Sequence, residues 1–311
     1  MFSSRRLQVA PSPCPSSGAK AKPEKTANHR GTEKTHQNAF SVLPCFRGLQ
    51  FLFVAMPIVT LLTDFGLSDS YVAELRGVIL SRAPGVTLAD ITHAVPPGDV
   101  RAAGFVIGRA WHRFPVGSVH LAVVDPGVGT PRAALALEAR GQYFVGPDNG
   151  IFTKVLRDTP VEVVSLTVPP HAAPTFHGRD VFAPAAAALA TGVRLENLGP
   201  RFTEIPERLA TAEPRYEGKS VIGEVVYVDR FGTLVTNLTT EQVPTYAAIH
   251  VEDLDLGPLR RTFADVAVGG LLAYLGSDGA VEIAVRNGSA ARRLGLGVGG
   301  EVTVRLDAGR R

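Results

Sequence analysis

From residue 57 onward the apolar positions follow one pattern for about 150 residues and then another. Short, nearly continuous apolar runs occur at 58–64 (IVTLLTD), 86–93 (VTLADITH), 118–125 (SVHLAVVD), 143–148 (YFVGPD) and 161–166 (VEVVSL). Between them, apolar residues recur at helical spacing from Asp69 to about Ala83, from Asp99 to about Phe114, and through NGIFTKVLRD at 149–158. Another helix follows the fifth run, inside TFHGRDVFAPAAAALATG at 175–192. Strands that are apolar on nearly every position, divided by helices, predict a mostly parallel sheet covered on both faces. After EIPERLATAEPRYEGKS (204–220) the alternation stops, and six short runs follow at 221–229, 233–238, 247–254, 271–276, 280–288 and 301–306. They have turn residues between them and no good helix, which predicts a smaller all-β domain, barrel-like, from about 218 to 311. The fold class is therefore α/β over 56–213 plus this β domain. GLGVGG (295–300) precedes a strand rather than a helix, so it reads as a hairpin turn and not as a dinucleotide loop. There is no internal repeat.

In a parallel sheet of this kind ligands bind beyond the carboxyl ends of the strands. Four of the five runs end on or near an ionisable side chain: Asp64, His93, Asp125 and Asp148. A buried strand needs a polar exit, but four such exits point to a site.

Composition changes the picture mainly at the N-terminus. Residues 1–55 hold eight Lys/Arg against two Glu, out of 32 and 29 in the chain, so residues 56–311 carry 24 against 27 and a net −3. The basic pI belongs to the tail, and a nucleic-acid footprint on the body is not supported. Cys14 and Cys45 also lie in the tail, so the body has no thiol for a disulfide, a nucleophile or a zinc ligand. Up to about residue 38 the tail is rich in Pro, Ser, Lys and Ala, a composition that cannot bury enough surface to fold. The uncharged stretch 48–63 is sixteen residues long and is interrupted by Pro57, short of the roughly 20 a membrane helix needs. A soluble, cytoplasmic protein without a membrane segment is expected. Met56 stands directly before the first strand, and translation is expected to begin there.

Several familiar sites are missing: GxSxG, GxxxxGK[ST] and HExxH do not occur. Asp64, Asp125, Asp148 and His177 are metal-ligand types, but no helix carries an i, i+4 histidine pair, and strand exits and a PDNG turn explain most of them; no metal is expected. What remains are glycine-rich loops with isolated charges: TDFGLSDSYV, VDPGVGTPR, PDNG, TFHGRD and DRFGTLVTN.

These five motifs in this order, followed by TFADV and EIAVRNGSA, resemble the S-adenosylmethionine hydroxide adenosyltransferases, relatives of the bacterial fluorinase and chlorinase. The resemblance spans Pro57 to about Leu306. It implies a homotrimer with S-adenosylmethionine bound between neighbouring subunits, as substrate and with no cofactor. It implies that Asp125, Arg132 and His177 surround the attacking water. It implies that Asp64 holds the ribose hydroxyls, Asp229 the methionine ammonium, Phe263 the adenine ring and Ser277 the methionine end. Two positions depart from the pattern. Thr233 stands where an Asn usually reads the adenine, so that contact is weakened or moved. Asp278 stands where the fluorinase has an arginine facing the carboxylate. Where the fluorinase has a tyrosine, this chain has Asp125, and where it has a halide-holding serine, this chain has Gly178.

The resemblance thus implies hydrolysis of S-adenosylmethionine to adenosine and L-methionine. The rival readings are a halogenase and a non-catalytic S-adenosylmethionine-binding module, the latter expected to lack the polar trio. Other residues have local explanations. Asp69 is a candidate cap for the first helix. His93, His120, His171 and His250 read as satisfied core histidines, and Arg179 with Asp180 as a scaffold pair. Gly178 is expected to let the backbone turn so that His177 faces the strand ends.

If residues 1–55 contribute nothing to the fold, a chain starting at Met56 melts at the same temperature as the full chain. A large drop in melting temperature on truncation would show that the tail is structural.

Overall fold

The computed structural model describes residues 56–306, with residue 245 excepted. The tail, both cysteines and the expected start at Met56 therefore fall outside the described residues or at their edge.

The first sheet has six strands, β1 (Ile58–Thr63), β2 (Thr87–Thr92), β3 (Val119–Val123), β4 (Ala134–Ala139), β5 (Gln142–Pro147) and β6 (Glu162–Ser165), in the order β2-β1-β3-β5-β4-β6. Pairings β1–β2, β1–β3 and β3–β5 are parallel. β4 runs against both its neighbours, so it is the one reversed strand in a mostly parallel sheet. The sequence pattern did not show it. β4 joins β5 through Arg140 and Gly141, both at positive φ (51° and 73°), the two-residue turn that usually appears as Asn-Gly or Asp-Gly.

Helices cover both faces. α1 (Tyr71–Arg82) and α4 (Ala183–Ala190) bury Leu75, Ile79 and the alanines 185–187 against Val59, Leu61, Leu121 and Val145. α2 (Val100–Ala110) and α3 (Thr153–Asp158) bury Ala103, Ile107 and Val155 against Leu62, Ala122, Leu137 and Phe144 on the other. Five buried alanines on α4 let it lie close over β3. Asp99 caps α2 by accepting from the Ala102 amide at 2.9 Å. The expected cap of α1 is not formed by Asp69: Ser70 occupies the N-cap without a side-chain bond to the backbone, and its hydroxyl goes to Glu74 at 2.7 Å.

His120 is the core histidine expected, between the Thr60 hydroxyl (2.8 Å) and Gln142 (2.7 Å). Burial holds its pKa down to about 4, outweighing the Gln142 hydrogen bond. His93 and His250 are buried as well, but His171 is exposed, in the loop before TFHGRD.

The second sheet is antiparallel throughout its named pairings. It comprises β7 (Arg215–Glu217), β8 (Ser220–Val228), β9 (Leu234–Thr239), β10 (Ala248–Val251), β11 (Leu254–Pro258), β12 (Leu271–Leu275), β13 (Ala280–Val285) and β14 (Glu301–Arg305). The order is β11-β10-β14-β8-β9-β13-β12, with β7 on β8. The end strands approach each other where the Arg260 amide donates to the Ala273 carbonyl at 2.7 Å, giving a nearly closed, barrel-like sheet around Val225, Leu238, Ile249 and Ile283. One short helix, α5 (Ala290–Leu294), was not anticipated; Ser289 caps it and Gly295 ends it at φ 66°. GLGVGG is therefore a helix C-cap and the lead into β14, not a hairpin turn, because β14 pairs with β8 and β10 rather than with β13.

Phe144 is fully buried and packs edge-on against Trp111 and Phe152. Phe144→Ala is expected to destabilise the protein by about 3–5 kcal/mol. Denaturant unfolding tests this, and a loss below about 1 kcal/mol would mean that this core is not packed as described.

Candidate active site

The strand order reverses between β1 and β3: the chain leaves β1 for β2 on one side and returns to β3 on the other. Crevices at such a switch point, outside the carboxyl ends of the strands, are where open α/β sheets bind ligands. Asp64 is the first residue after β1, and Asp125 lies two residues after β3.

Asp125 meets Arg132 across the DPGVGTPR loop, where Gly129 takes φ 80° and lies against the Pro174 carbonyl, 2.9 Å from where a Cβ would sit. Arg132 Nε donates to Asp125 Oδ1 at 2.9 Å, and Nη2 donates to Oδ2, a bidentate pair. The two side chains are only 6% and 10% exposed. The same Nη2 lies 3.2 Å from His177 Nδ1. A guanidinium has donors only, so Nδ1 is the acceptor and the proton of the neutral ring sits on Nε2. Burial, then the Arg132 charge, lowers the His177 pKa; Asp125 and Asp180 oppose this. The Arg132 guanidinium also stacks on the Phe182 ring at 5.3 Å. One cation thus fixes an ionised carboxylate and a neutral imidazole side by side.

His177 enters from a π-helical turn, Gly178–Phe182, that precedes α4. The expected turn at Gly178 is absent: His177 is already helical (φ −60°, ψ −25°), and Gly178 does not take a positive φ. The chain is aimed by the wide turn instead, in which the Ala183 amide donates to the Gly178 carbonyl. Arg179 and Asp180 form the scaffold pair, with Nε–Oδ1 at 2.7 Å and Nη2–Oδ2 at 2.9 Å. Arg179 also reaches Glu74 on α1, and Asp180 accepts the Ala173 amide.

Phe65, Tyr71 and Phe176 form an aromatic cluster beside this group, with ring centroids 5.4–5.9 Å apart. Sequence reasoning passed over them, although Phe65 and Tyr71 lie in TDFGLSDSYV and Phe176 directly precedes His177. Asp64 Oδ2 accepts the Gly98 amide at 2.8 Å and so ties down the loop after β2. Asp148 serves the linker, accepting the Glu207 amide at 2.8 Å, with its pKa raised by burial. His93 takes a hydrogen bond with Thr63 at 2.8 Å and lies 3.2 Å from Asp90. Neither belongs to the trio.

The remaining expected residues form a second group on the β sheet. Asp229 Oδ1 accepts the amides of Phe231 and Thr233 at 2.9 and 2.8 Å, closing the DRFGT turn. Phe263 sits on a short 3-10 turn closed by a Thr262/Asp265 capping box. It is 44% exposed, not core, and lies 5.0 Å from the Tyr274 ring. Ser277 lies in the β12–β13 turn and accepts from Arg109 at 3.2 Å. Asp278, beside it, pairs with the same Arg109. Among the described residues, no recorded hydrogen bond or ion pair links this group to Asp64, Asp125, Arg132 or His177. No three His, Cys, Asp or Glu side chains among the described residues converge to hold a metal ion. A cavity lined by Phe105, Arg109, Leu209 and Val235 among others lies between the two sheets, and none of the trio lines it.

Comparison with known proteins gives one consistent result. Residues 59–199 match the SAM hydroxide adenosyltransferase N-terminal domain, and residues 223–303 match the C-terminal domain. The chain is 44% identical over 250 residues to the (R)-S-adenosyl-L-methionine hydrolase of Thermus thermophilus, covering 76% of this chain and 95% of that one. It is 29% identical over 291 residues to the fluorinase of Nocardia brasiliensis, covering 80% and 97%. The crystal structure of an uncharacterized conserved protein from Thermotoga maritima superposes with a TM-score of 0.73 at 37% identity, over 80% of this chain and 99% of that one.

Because the folded state keeps His177 neutral below its ordinary pKa near 6.5, the unfolded chain takes up a proton there that the folded chain refuses. This contribution to stability is present above that pKa and is lost as pH falls through the lowered value. Arg132→Ala removes one cause of the shift. The His177 pKa, followed by NMR titration, is expected to rise, and a value that stays or falls would show that Arg132 does not act on the ring.

Proposed function

We propose that this chain, which belongs to the SAM hydroxide adenosyltransferase family, hydrolyses S-adenosyl-L-methionine to adenosine and L-methionine. The observation that carries the reading is the single guanidinium holding Asp125 and His177 together at the switch point. The sulfonium needs no acid to leave: the C5′–S electron pair passes to sulfur, and methionine departs as a neutral thioether. The site must instead supply an oriented water in line with that bond. Free water, with a pKa near 15.7, is a poor nucleophile. As the C5′–O bond forms, however, the oxygen becomes an oxonium, a strong acid that a carboxylate can deprotonate. Asp125 accepts the water's hydrogen and then its proton, and the Nε2–H of His177 fixes the water oxygen. No cofactor takes part in this scheme.

Asp64 would hold the ribose hydroxyls, Phe263 would stack on adenine, and Asp229, Thr233 and Ser277 would line the remainder of the substrate. These two sets lie on different sheets, with no polar contact between them among the described residues, and both are flanked by exposed apolar side chains. Leu67 and Tyr71 stand beside the first, and Phe231 and Val268 beside the second. Exposed apolar surface next to half a site favours completion by a second copy, and a homotrimer with shared sites is the assembly we propose. A cytoplasmic location fits the same reading; no described helix is long and apolar enough to cross a membrane.

A halogenase is the alternative within the family. Its nucleophile has no hydrogen to give to Asp125, and Gly178 offers no side-chain donor. The Thermus thermophilus relative at 44% identity carries the name of a hydrolase, whereas the Nocardia brasiliensis fluorinase stands at 29%.

Incubation with S-adenosylmethionine should give adenosine even at high chloride; 5′-chloro-5′-deoxyadenosine as main product would overturn the hydrolase reading. Asp125→Asn and His177→Ala should each lower adenosine formation by about 100-fold or more while substrate still binds by calorimetry. The double variant should be little worse than either single one. Light scattering of the active species checks the assembly, and a monomer that turns over would contradict the shared site.

A further inference from the structure

Arg109, near the C-terminal end of α2, makes the closest polar contacts between the α/β layer and the turn between β12 and β13, with Arg113 farther off at 4.0 Å from Asp278. Its Nη2 donates to Ser277 Oγ at 3.2 Å, its Nε pairs with the Asp278 carboxylate, and its Nη1 lies 3.5 Å from Glu282 Oε1. Its guanidinium carbon lies 5.5 Å from the Phe105 ring centroid, and Phe105 itself stacks on Tyr227 of β8 at 4.4 Å. A planar fork of five donors reaches three acceptors spread around its rim, a span that a compact ammonium does not match.

Glu282 is the consequential partner. It is buried, with 9% of its side chain exposed, and its other oxygen accepts the Tyr274 hydroxyl at 2.6 Å. A Cβ at position 276 would fall 2.1 Å from Glu282 Oε1, so the carboxylate occupies space that only a glycine leaves open. Tyr274 in turn has Thr233 beside its phenol and Phe263 tilted against its ring at 5.0 Å. A continuous run of contacts therefore leads from Arg109 through Glu282 and Tyr274 to Phe263 and Thr233. A buried carboxylate that loses its cation is left uncompensated; it turns toward other donors and loosens its hold on Tyr274.

We infer that Arg109 is a positioning residue for the adenosyl end of the substrate: through Glu282 and Tyr274 it sets the exposed ring of Phe263. This rests on the proposed function, which makes Phe263 the adenine platform. It adds Arg109, Glu282 and Tyr274 to the residues that matter for substrate affinity. It also explains how the turn carrying Ser277 keeps its place although Asp278 is acidic, because Arg109, with Arg113 behind it, neutralises that carboxylate from outside the turn. Since the trio lies on the other sheet, the effect belongs to binding and not to the chemical step.

The test is steady-state kinetics on the full chain, with wild type, Arg109→Met, Tyr274→Phe and the double variant. Arg109→Met keeps the stem over Phe105 and removes the fork. It should raise KM for S-adenosylmethionine about tenfold with kcat within about twofold. The inhibition constant for adenosine should rise in parallel, because the loss is at the adenosyl end. Tyr274→Phe should raise KM as well, and the double variant should add little to Arg109→Met, because the connection through Tyr274 is already cut there. Arg109→Lys should recover only part of the affinity. Unchanged KM in Arg109→Met, a fall in kcat alone, or fully additive effects would overturn the inference while leaving the hydrolase reading intact. A wild type that makes no adenosine would overturn both. If Arg109→Met does not fold, Tyr274→Phe decides alone: an unchanged KM overturns the inference, and a raised one with normal kcat supports it.

Discussion

The interaction on which the rest depends is the Arg132 guanidinium, buried between Asp125 and His177. A buried ion pair rarely contributes much net stability, because desolvating both charges offsets their attraction. Its value here is positional. Breaking the pair would leave a carboxylate uncompensated at the sheet edge, a loss of about 3–5 kcal/mol in typical cases. The pair therefore holds the DPGVGTPR loop in one arrangement. The imidazole gains its definition from the same group: beside a donor that cannot accept, Nδ1 has one role open to it.

The architecture supplies the rest of that geometry. β1 and β3 end at the point where the strand order turns around, and their carboxyl ends deliver Asp64 and Asp125. The alanine faces of α4 bring its N-terminal π turn close over β3, so His177 arrives from a third segment without a long loop. On the other sheet, the pieces proposed to grip the substrate are small turns closed by their own hydrogen bonds: Asp229 over its amides, and Thr262 with Asp265 around Phe263. Each half is ordered by local bonds, and Arg109 is a polar strut that ties the β12–β13 turn of the second half to α2.

Much of this was legible in the residues because buried strands leave near-continuous apolar runs, and because the reactive side chains sit at strand exits within glycine-rich loops. The misses have physical reasons. β4 escaped because ALALEA alternates weakly and its turn is Arg-Gly, a pair that carries no hairpin signature even though both residues adopt positive φ. Gly178 looked like a hinge, but a π turn redirects a chain without any residue leaving the right-handed region. GLGVGG looked like a hairpin because strand partners cannot be read from spacing: β13 and β14 are neighbours in sequence and lie in different parts of the sheet. Asp69 resembled a cap, yet Ser70 took the place and gave its hydroxyl to Glu74. The Arg109 contacts join residues 168 positions apart, beyond the reach of any local pattern.

Arg132 holds His177 neutral with its proton on Nε2, while the same guanidinium pairs with Asp125. The most direct measurement is the nitrogen-15 NMR spectrum of the His177 ring in the full protein at neutral pH. The expected spectrum shows an unprotonated, hydrogen-bonded Nδ1 and a protonated Nε2. A ring protonated on Nδ1, or carrying both protons, would contradict it.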